Sequence, residues 1–317
     1  MNIEPTSMHR GSGHFTPLRY PGGKGKLAKF LKEILRQNGL IDGEYVEPYA
    51  GGSAIAVELL LHEYVSKIHI NDISKPVFSF WRSIVDHTEE FCRLIRDTPR
   101  TLAAWDKQKA ILSKPFDHTR LELGFAMFFL NRTNRSGILN AGVIGGRDQS
   151  GAWKIDARYN SSELIHRVQA IANLKSKIRI SSLDALTFLA KGAATWPTST
   201  LIYLDPPYYV KGRDLYHHFY QHDDHVAVAQ FVQTGIKDQR WMVSYDDVPE
   251  IRRMYRGSQK ITYQIGYSAR STSTGTEVMF FDDQLIVPEV VGPVSKVRRS
   301  VRRSDPVKAQ GNSAAID

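Results

Sequence analysis

Tyr45-Val46-Glu47-Pro48-Tyr49, followed by Ala50-Gly51-Gly52-Ser53, a run from Ala54 to Tyr64, and Lys67-Ile68-His69-Ile70-Asn71-Asp72, decides the fold of this 317-residue chain. The first and last segments read as buried strands, the glycine pair as a tight turn, and Ala54 to Tyr64 as a helix. Strand, turn, helix and strand within about 30 residues open a doubly wound α/β sheet. Gly51 and Gly52 let the backbone pass close to a ligand at the strand–helix turn. The pattern is neither Gly-x-Gly-x-x-Gly nor a Gly-Lys-Ser/Thr loop, so phosphate binding is not supported. Asp72, at the end of the second strand, is placed to hold two ribose hydroxyls. Together these features predict a nucleoside cofactor without a pyrophosphate; each alone reads better as an ordinary turn or a helix-capping acid.

Further along, the apolar strand Thr200-Leu201-Ile202-Tyr203-Leu204 runs into Asp205-Pro206-Pro207-Tyr208. The prolines fix their own φ angles and donate no backbone hydrogen bond, so the Pro206 carbonyl is held rigidly as an acceptor. A carboxylate beside a carbonyl can grip both hydrogens of one planar amino group. Tyr208 offers a face on which the ring bearing that group can stack. This suits an enzyme acting on the exocyclic amine of a nucleobase.

The rest of the chain predicts helices over 25–38, 76–97, 119–131, 162–174 and 224–236, and strands over 177–182, 241–245 and 277–287. Residues 132–160 break the periodicity. Five glycines there lie among Arg132, Arg135, Arg147, Lys154 and Arg158, opposed only by Asp148 and Asp156, which reads as a basic loop or hairpin. Arg132, Asn134, Arg135 and Arg147 are the candidate DNA contacts, since arginines read guanine edges and asparagines adenine, or simply hold phosphates. The domain reading is a flexible N-terminus (1–14), a catalytic unit (15–75 and 161–288) interrupted by a mainly helical and looped recognition insert (76–160), and a basic disordered tail (289–317). In that tail Lys296, Arg298, Arg299, Arg302 and Arg303 fall within eight residues without an acid.

The formal charge of +9 favours a polyanionic partner, most simply nucleic acid. The single cysteine, Cys92, excludes an internal disulfide and fits a reducing cytoplasm, and with scattered histidines it argues against a structural zinc. No apolar run approaches the roughly 20 residues that span a bilayer.

Arg19-Tyr20-Pro21-Gly22-Gly23-Lys24, then Glu47 to Ala54, then Asp72, then Asp205 to Tyr208, in that order, resemble the Dam-type (D12 class) DNA adenine-N6 methyltransferases of the alpha group. The resemblance covers about residues 15–288. It implies the Rossmann-like sheet of class I S-adenosylmethionine-dependent methyltransferases, S-adenosylmethionine as cofactor, and a flipped adenine in double-stranded DNA as substrate. By the same resemblance Tyr20, Pro21, Gly23, Lys24, Glu47, Pro48, Gly51, Gly52, Asp72, Asp184 and Asp205 line the cofactor site, and Asp205, Pro206, Pro207 and Tyr208 form the catalytic tetrapeptide. Tyr20 departs from the family's usual tryptophan. The resemblance allows a cognate restriction endonuclease or an unaccompanied enzyme, and a monomer or a weak dimer. Cytosine-N4, RNA or protein-glutamine methylation and a catalytically inactive DNA-binding relative are the competing readings. An Asp rather than Ser or Asn at the first tetrapeptide position, and intact motifs, weigh against them.

Overall fold

β1 (Glu44–Glu47) lies in the middle of the sheet, between β2 (Lys67–Asn71) and β4 (Leu201–Leu204), parallel to both. In this computed structural model the described residues are 15–19, 24–210, 220–267, 273–289 and 298–299. β3 (Ile178–Ser181) and β5 (Arg240–Asp246) extend the parallel half on either side. β6 (Gln259–Tyr267) and β7 (Ser273–Phe281) form an antiparallel pair, with β7 lying antiparallel against β5. The full order is β3-β2-β1-β4-β5-β7-β6-β8, where β8 is the two-residue Arg298–Arg299 on the edge of β6. This is a doubly wound α/β sheet, as the sequence predicts. Chain order reverses between β1 and β4, so a crevice opens at their carboxyl ends, where open α/β sheets bind ligands.

β4, in the middle of the sheet, is a continuous apolar run because both its faces are covered: all four of its residues are buried. Tyr45, Leu201 and Tyr203 point to one face, Val46, Ile202 and Leu204 to the other, each face with its own core. On the first face pack α1 (Ala28–Gln37), which follows a 3₁₀ turn at Lys24–Leu27, and α2 (Ala54–Leu61), which crosses from β1 to β2. On the second pack α8 (Ala185–Ala193), α9 (His222–Thr234) and α10 (Pro249–Met254).

Between β2 and β3 run α3 (Lys75–Asp86), α4 (Thr88–Asp97), α5 (Leu102–Ser113), α6 (Arg120–Thr133), an irregular stretch with a bridge between Asn134 and Val143, and α7 (Ser161–Ala172). The predicted helix over 76–97 is two helices, because the backbone breaks at His87 (φ −131°, ψ 43°). α6 begins at a reciprocal Thr119–Glu122 capping box. From Leu123 to Leu130 it is buried all round. Its aromatic side chains meet Phe80, Phe91 and Tyr159. These rings belong to the same continuous core as Tyr45 and Ile68 of the sheet, so α3 to α7 pack on the sheet through one shared core. Gly124 lets α6 pass close to α3: a Cβ there would lie 2.6 Å from the Ser79 carbonyl. Of the expected tail, Arg298–Arg299 pair with Thr262 and Ile261; its remainder beyond residue 289, and residues 1–14, lie outside the described residues.

Candidate active site

At the carboxyl end of β4 the chain leaves the sheet as Asp205-Pro206-Pro207-Tyr208. The Lys24 ammonium sits 3.3 Å from Asp205 Oδ1 and 2.7 Å from Oε2 of Glu277, whose side chain is fully buried in β7. Lys24 Nζ also donates to the Tyr208 hydroxyl at 2.8 Å and lies 5.2 Å from that ring's centre. The Tyr208 hydroxyl donates to Glu277 Oε1, and the Tyr263 hydroxyl to Glu277 Oε2 at 2.5 Å. Ser244 in β5 donates to Asp205 Oδ1 at 2.7 Å, with Tyr203 2.9 Å from the same hydroxyl. Register explains the gathering. Tyr263 and Glu277 stand directly opposite across β6 and β7, and Glu277 starts the stretch of β7 that borders the end of β5. One ammonium therefore sits between two carboxylates inside a ring of hydroxyls.

Burial pushes the Asp205 carboxyl above its ordinary range and Glu277 adds to this, while Lys24 opposes it. Glu277 goes the other way. Burial would raise it, but Lys24 and the Tyr208 and Tyr263 hydroxyls together hold it below the usual carboxylate range. Burial would lower Lys24, yet Asp205 and Glu277 keep it above an ordinary lysine. The surroundings thus favour the charged forms of Lys24 and Glu277 and the neutral form of Asp205.

Asp246, at the end of β5, accepts from the amides of both Tyr209 and Val210 at 2.9 Å and so clamps the chain just past the tetrapeptide. Tyr208 is 7% exposed, so its ring is largely covered here rather than displayed as an open platform.

The glycine turn faces this group across the crevice. Asp72 Oδ2 accepts from the Gly51 amide at 2.9 Å and Oδ1 from Ser74 at 2.9 Å. Trp81 Nε1 donates to the Gly51 carbonyl at 3.0 Å, and Thr16 to that of Gly52 at 2.6 Å. The Gly51 amide is thus committed within the protein and not offered to a phosphate. Asn71, buried beside Asp72, donates to the carbonyls of Pro48 (3.0 Å) and Leu183 (2.9 Å), tying together the ends of β1, β2 and β3. Glu47 is buried at the end of β1 and accepts from Tyr45 and from the Ala56 amide, both at 3.2 Å. Burial raises its carboxyl to about 7. Asp184 is exposed and caps α8, accepting from Leu186 and Thr187 at 3.0 and 3.1 Å. Tyr20, Pro21 and Gly23 lie outside the described residues.

The donor set fits a cationic nucleoside better than a nucleotide. The groups around the crevice are the carboxylates Asp72, Asp205 and Glu47, which accept from hydroxyls and attract a positive sulfonium, and the one lysine is neutralised by Asp205 and Glu277.

The expected DNA contacts separate into three situations. Asn134 is corrected: it is fully buried, its Oδ1 accepts from Trp105 Nε1 at 2.7 Å, and its amide donates to the carbonyls of Ile138 and Leu139 at 2.9 Å. That side chain is used up in shaping the insert and cannot read a base. Arg147 is exposed, but its fork is spent bidentately on Asp106 at 2.8 and 2.9 Å. Arg135 is exposed, and Arg132 is partly so. Burial first, and then the charges of Arg19, Arg167 and Arg158, pull the Arg132 guanidinium down to about 9. Among the described residues Arg132 has no salt bridge; its Nε donates to the Arg158 carbonyl at 2.7 Å. Sequence reading missed Arg19 and Arg167, which complete this arginine cluster. It also missed Glu277, Asp246 and Asn71. The one signal for Glu277 was a lone charge leading the apolar run Val278-Met279-Phe280-Phe281.

A search of curated proteins finds no match. Among solved structures, the protein LPL1258 from Legionella pneumophila is 10% identical, over 83% of this chain and 86% of that one, with a TM-score of 0.33, too faint a likeness to carry an argument. The family model described as D12 class N6 adenine-specific DNA methyltransferase matches residues 20–266. That span holds Lys24, the glycine turn, Asp72, the insert and the tetrapeptide, and the chain belongs to this family of DNA methyltransferases.

Proposed function

We propose that this protein transfers a methyl group from S-adenosylmethionine to the N6 amino group of an adenine flipped out of duplex DNA. The observation that carries this reading is the Asp205 carboxylate, held by Ser244 and Lys24 at the mouth of the β1/β4 crevice beside the rigid Pro206. The N6 lone pair of adenine is delocalised into the ring, so the amine is a poor nucleophile. Asp205 and the Pro206 carbonyl, each accepting one of its hydrogens, draw the nitrogen towards tetrahedral geometry and localise the pair. Asp205 is also the nearest base for the proton that the methylated nitrogen sheds, and its raised affinity for a proton suits that task. S-adenosylmethionine, when bound, supplies the activated methyl group. Asp72 would hold its ribose, Glu47, Pro48, Gly51 and Gly52 its amino-acid side, and Asp184 the neighbourhood of its adenine, with Tyr20, Pro21, Gly23 and Lys24 closing the first loop.

A base inside a duplex cannot reach this crevice, so it must be extruded at a cost of a few kcal/mol. It reaches Tyr208 by displacing what covers that ring. Phosphate contacts and stacking, the latter worth roughly 1–3 kcal/mol, offset the cost. The cluster of Arg19, Arg132, Arg158 and Arg167, in which Arg167 is paired with Glu163 at 2.7 Å, supplies positive charge for the backbone, and the exposed Arg135 is the candidate base reader. Among the described residues no helix is long and apolar enough to cross a membrane. We place the enzyme on DNA in the cytoplasm. The test is single-molecule sequencing of DNA from cells expressing the wild type or Asp205→Ala. The reading requires N6-methyladenine at one recurrent motif in the first and not in the second. Cytosine-N4 marks, or unmarked DNA from both, would overturn it.

A further inference from the structure

Glu277 in β7 is a fully buried carboxylate that the transfer chemistry does not use. It stands ahead of four apolar residues, where nothing in the pattern of the strand calls for a charge. A buried carboxylate is costly unless several donors compensate it. Those of Glu277 include three side chains: Lys24 Nζ at 2.7 Å, Tyr263 at 2.5 Å, and Tyr208. Two of the three are residues of the site itself. We propose that Glu277 is a positioning residue for methyl transfer, which fixes the Lys24 ammonium against Asp205 and the Tyr208 hydroxyl against Lys24 and so sets both ends of the tetrapeptide. This rests on the function proposed above.

Lys24 has three hydrogens to donate. With Glu277 and Tyr208 each taking one, the remaining direction points towards Asp205 at 3.3 Å and Ser244 at 3.5 Å. Without the Glu277 charge the ammonium would close fully on Asp205 and compete with the target amine for its lone pairs. Glu277 thus divides the ammonium's attraction and leaves Asp205 partly uncommitted. The titratable groups facing this set are Lys24 ahead of α1, Glu47 and Tyr45 of β1, Tyr203 of β4, Asp205 and Tyr208 beyond it, and Tyr263 of β6.

The test is the variant Glu277→Gln, which keeps the shape and the acceptor oxygen but loses the charge. For methyl transfer to duplex DNA, kcat should fall on the order of tenfold to a hundredfold through misplacement. Both limbs of its pH profile should move to lower pH, because Asp205 loses a repelling charge and Lys24 a stabilising one. Glu277→Asp, which restores the charge, should return the limbs towards wild type. A lowered kcat with unmoved limbs means a merely structural role and overturns the proposal, as does unchanged turnover. A second readout needs no activity: NMR of the lysine ammonium groups in the wild type and in Glu277→Gln. Lys24 should keep its proton to a higher pH in the wild type than in the variant, and equal titration in the two overturns the proposal. If the wild type methylates no DNA, the functional reading fails while this comparison still tests the hold of Glu277 on Lys24.

Discussion

The Gly51 amide donates to the Asp72 carboxylate at 2.9 Å, so the glycine turn after β1 and the acid after β2 are one unit. A carboxylate has about four acceptor positions, and Gly51 and Ser74 take one on each oxygen. The acid braces the turn through both of its oxygens, and in the proposed function it also holds ribose hydroxyls. Asp72→Asn keeps an acceptor oxygen but replaces the other by a donor. S-adenosylmethionine affinity should drop by about 1–3 kcal/mol while DNA affinity holds. Calorimetry showing equal cofactor affinity in the two proteins would reject the ribose role.

Asp205→Ala should lower methyl transfer on the order of 10²–10³-fold or more, the scale of removing one preorganised electrostatic group. The fold should survive, because Lys24 keeps its 2.7 Å pair with Glu277 and the strand beneath is apolar. Tritium transfer to DNA beside a thermal melt checks both halves; near-wild-type turnover would sink the assignment.

Glu47 gives a prediction in pH. Its folded carboxyl is raised to about 7 from an ordinary 4.5, so the protonated form stabilises the fold below about pH 4.5, and that contribution is lost as pH rises through 7. Glu47→Gln stays neutral and can still accept from Tyr45 and Ala56. It should match the wild type in stability near pH 4 and exceed it by about 3 kcal/mol above pH 7, at about 1.4 kcal/mol per pH unit. Urea melts of both proteins across pH 4–8 measure the difference, and parallel curves would contradict it.

Arg132 and Asn134, two residues apart, should behave oppositely. Arg132→Ala removes a cationic group from the cluster, so it should weaken all DNA sequences alike and reduce the salt slope by about one. Asn134→Ala strands the Trp105 indole and the Ile138 and Leu139 carbonyls, at about 1–3 kcal/mol for each group left unpaired. It should lower the melting temperature and leave the methylated motif unchanged. A shifted motif in the asparagine variant would restore it as a reader.

What could be read from the sequence was local. The β1-turn-α2-β2 unit and Asp205 to Tyr208 each lie within a few dozen residues, and the periodicity of the strands marks where their acids emerge. Glu277 and Asp246 act on partners far along the chain, which only strand order and register bring to them, and Arg19 meets the end of α6 from a loop more than a hundred residues before it. β6 was passed over, and the helix α5 (Leu102–Ser113) too, whose burial rests on Trp105, Gln108 and Ile111 rather than on a broad stripe. Asn134 misled because a run of arginine and asparagine looks like a polar surface. In the structure it follows the last turn of a buried helix, which turns the asparagine inward and the arginine beside it outward.

The most direct measurement is the identity of the product. Unmethylated duplex DNA is incubated with the purified protein and methyl-labelled S-adenosylmethionine, digested to nucleosides and resolved by mass spectrometry. The account predicts that the label appears as N6-methyldeoxyadenosine, and does not appear with Asp205→Ala. Label in N4-methyldeoxycytidine, or label accepted by RNA or protein and refused by DNA, would contradict it.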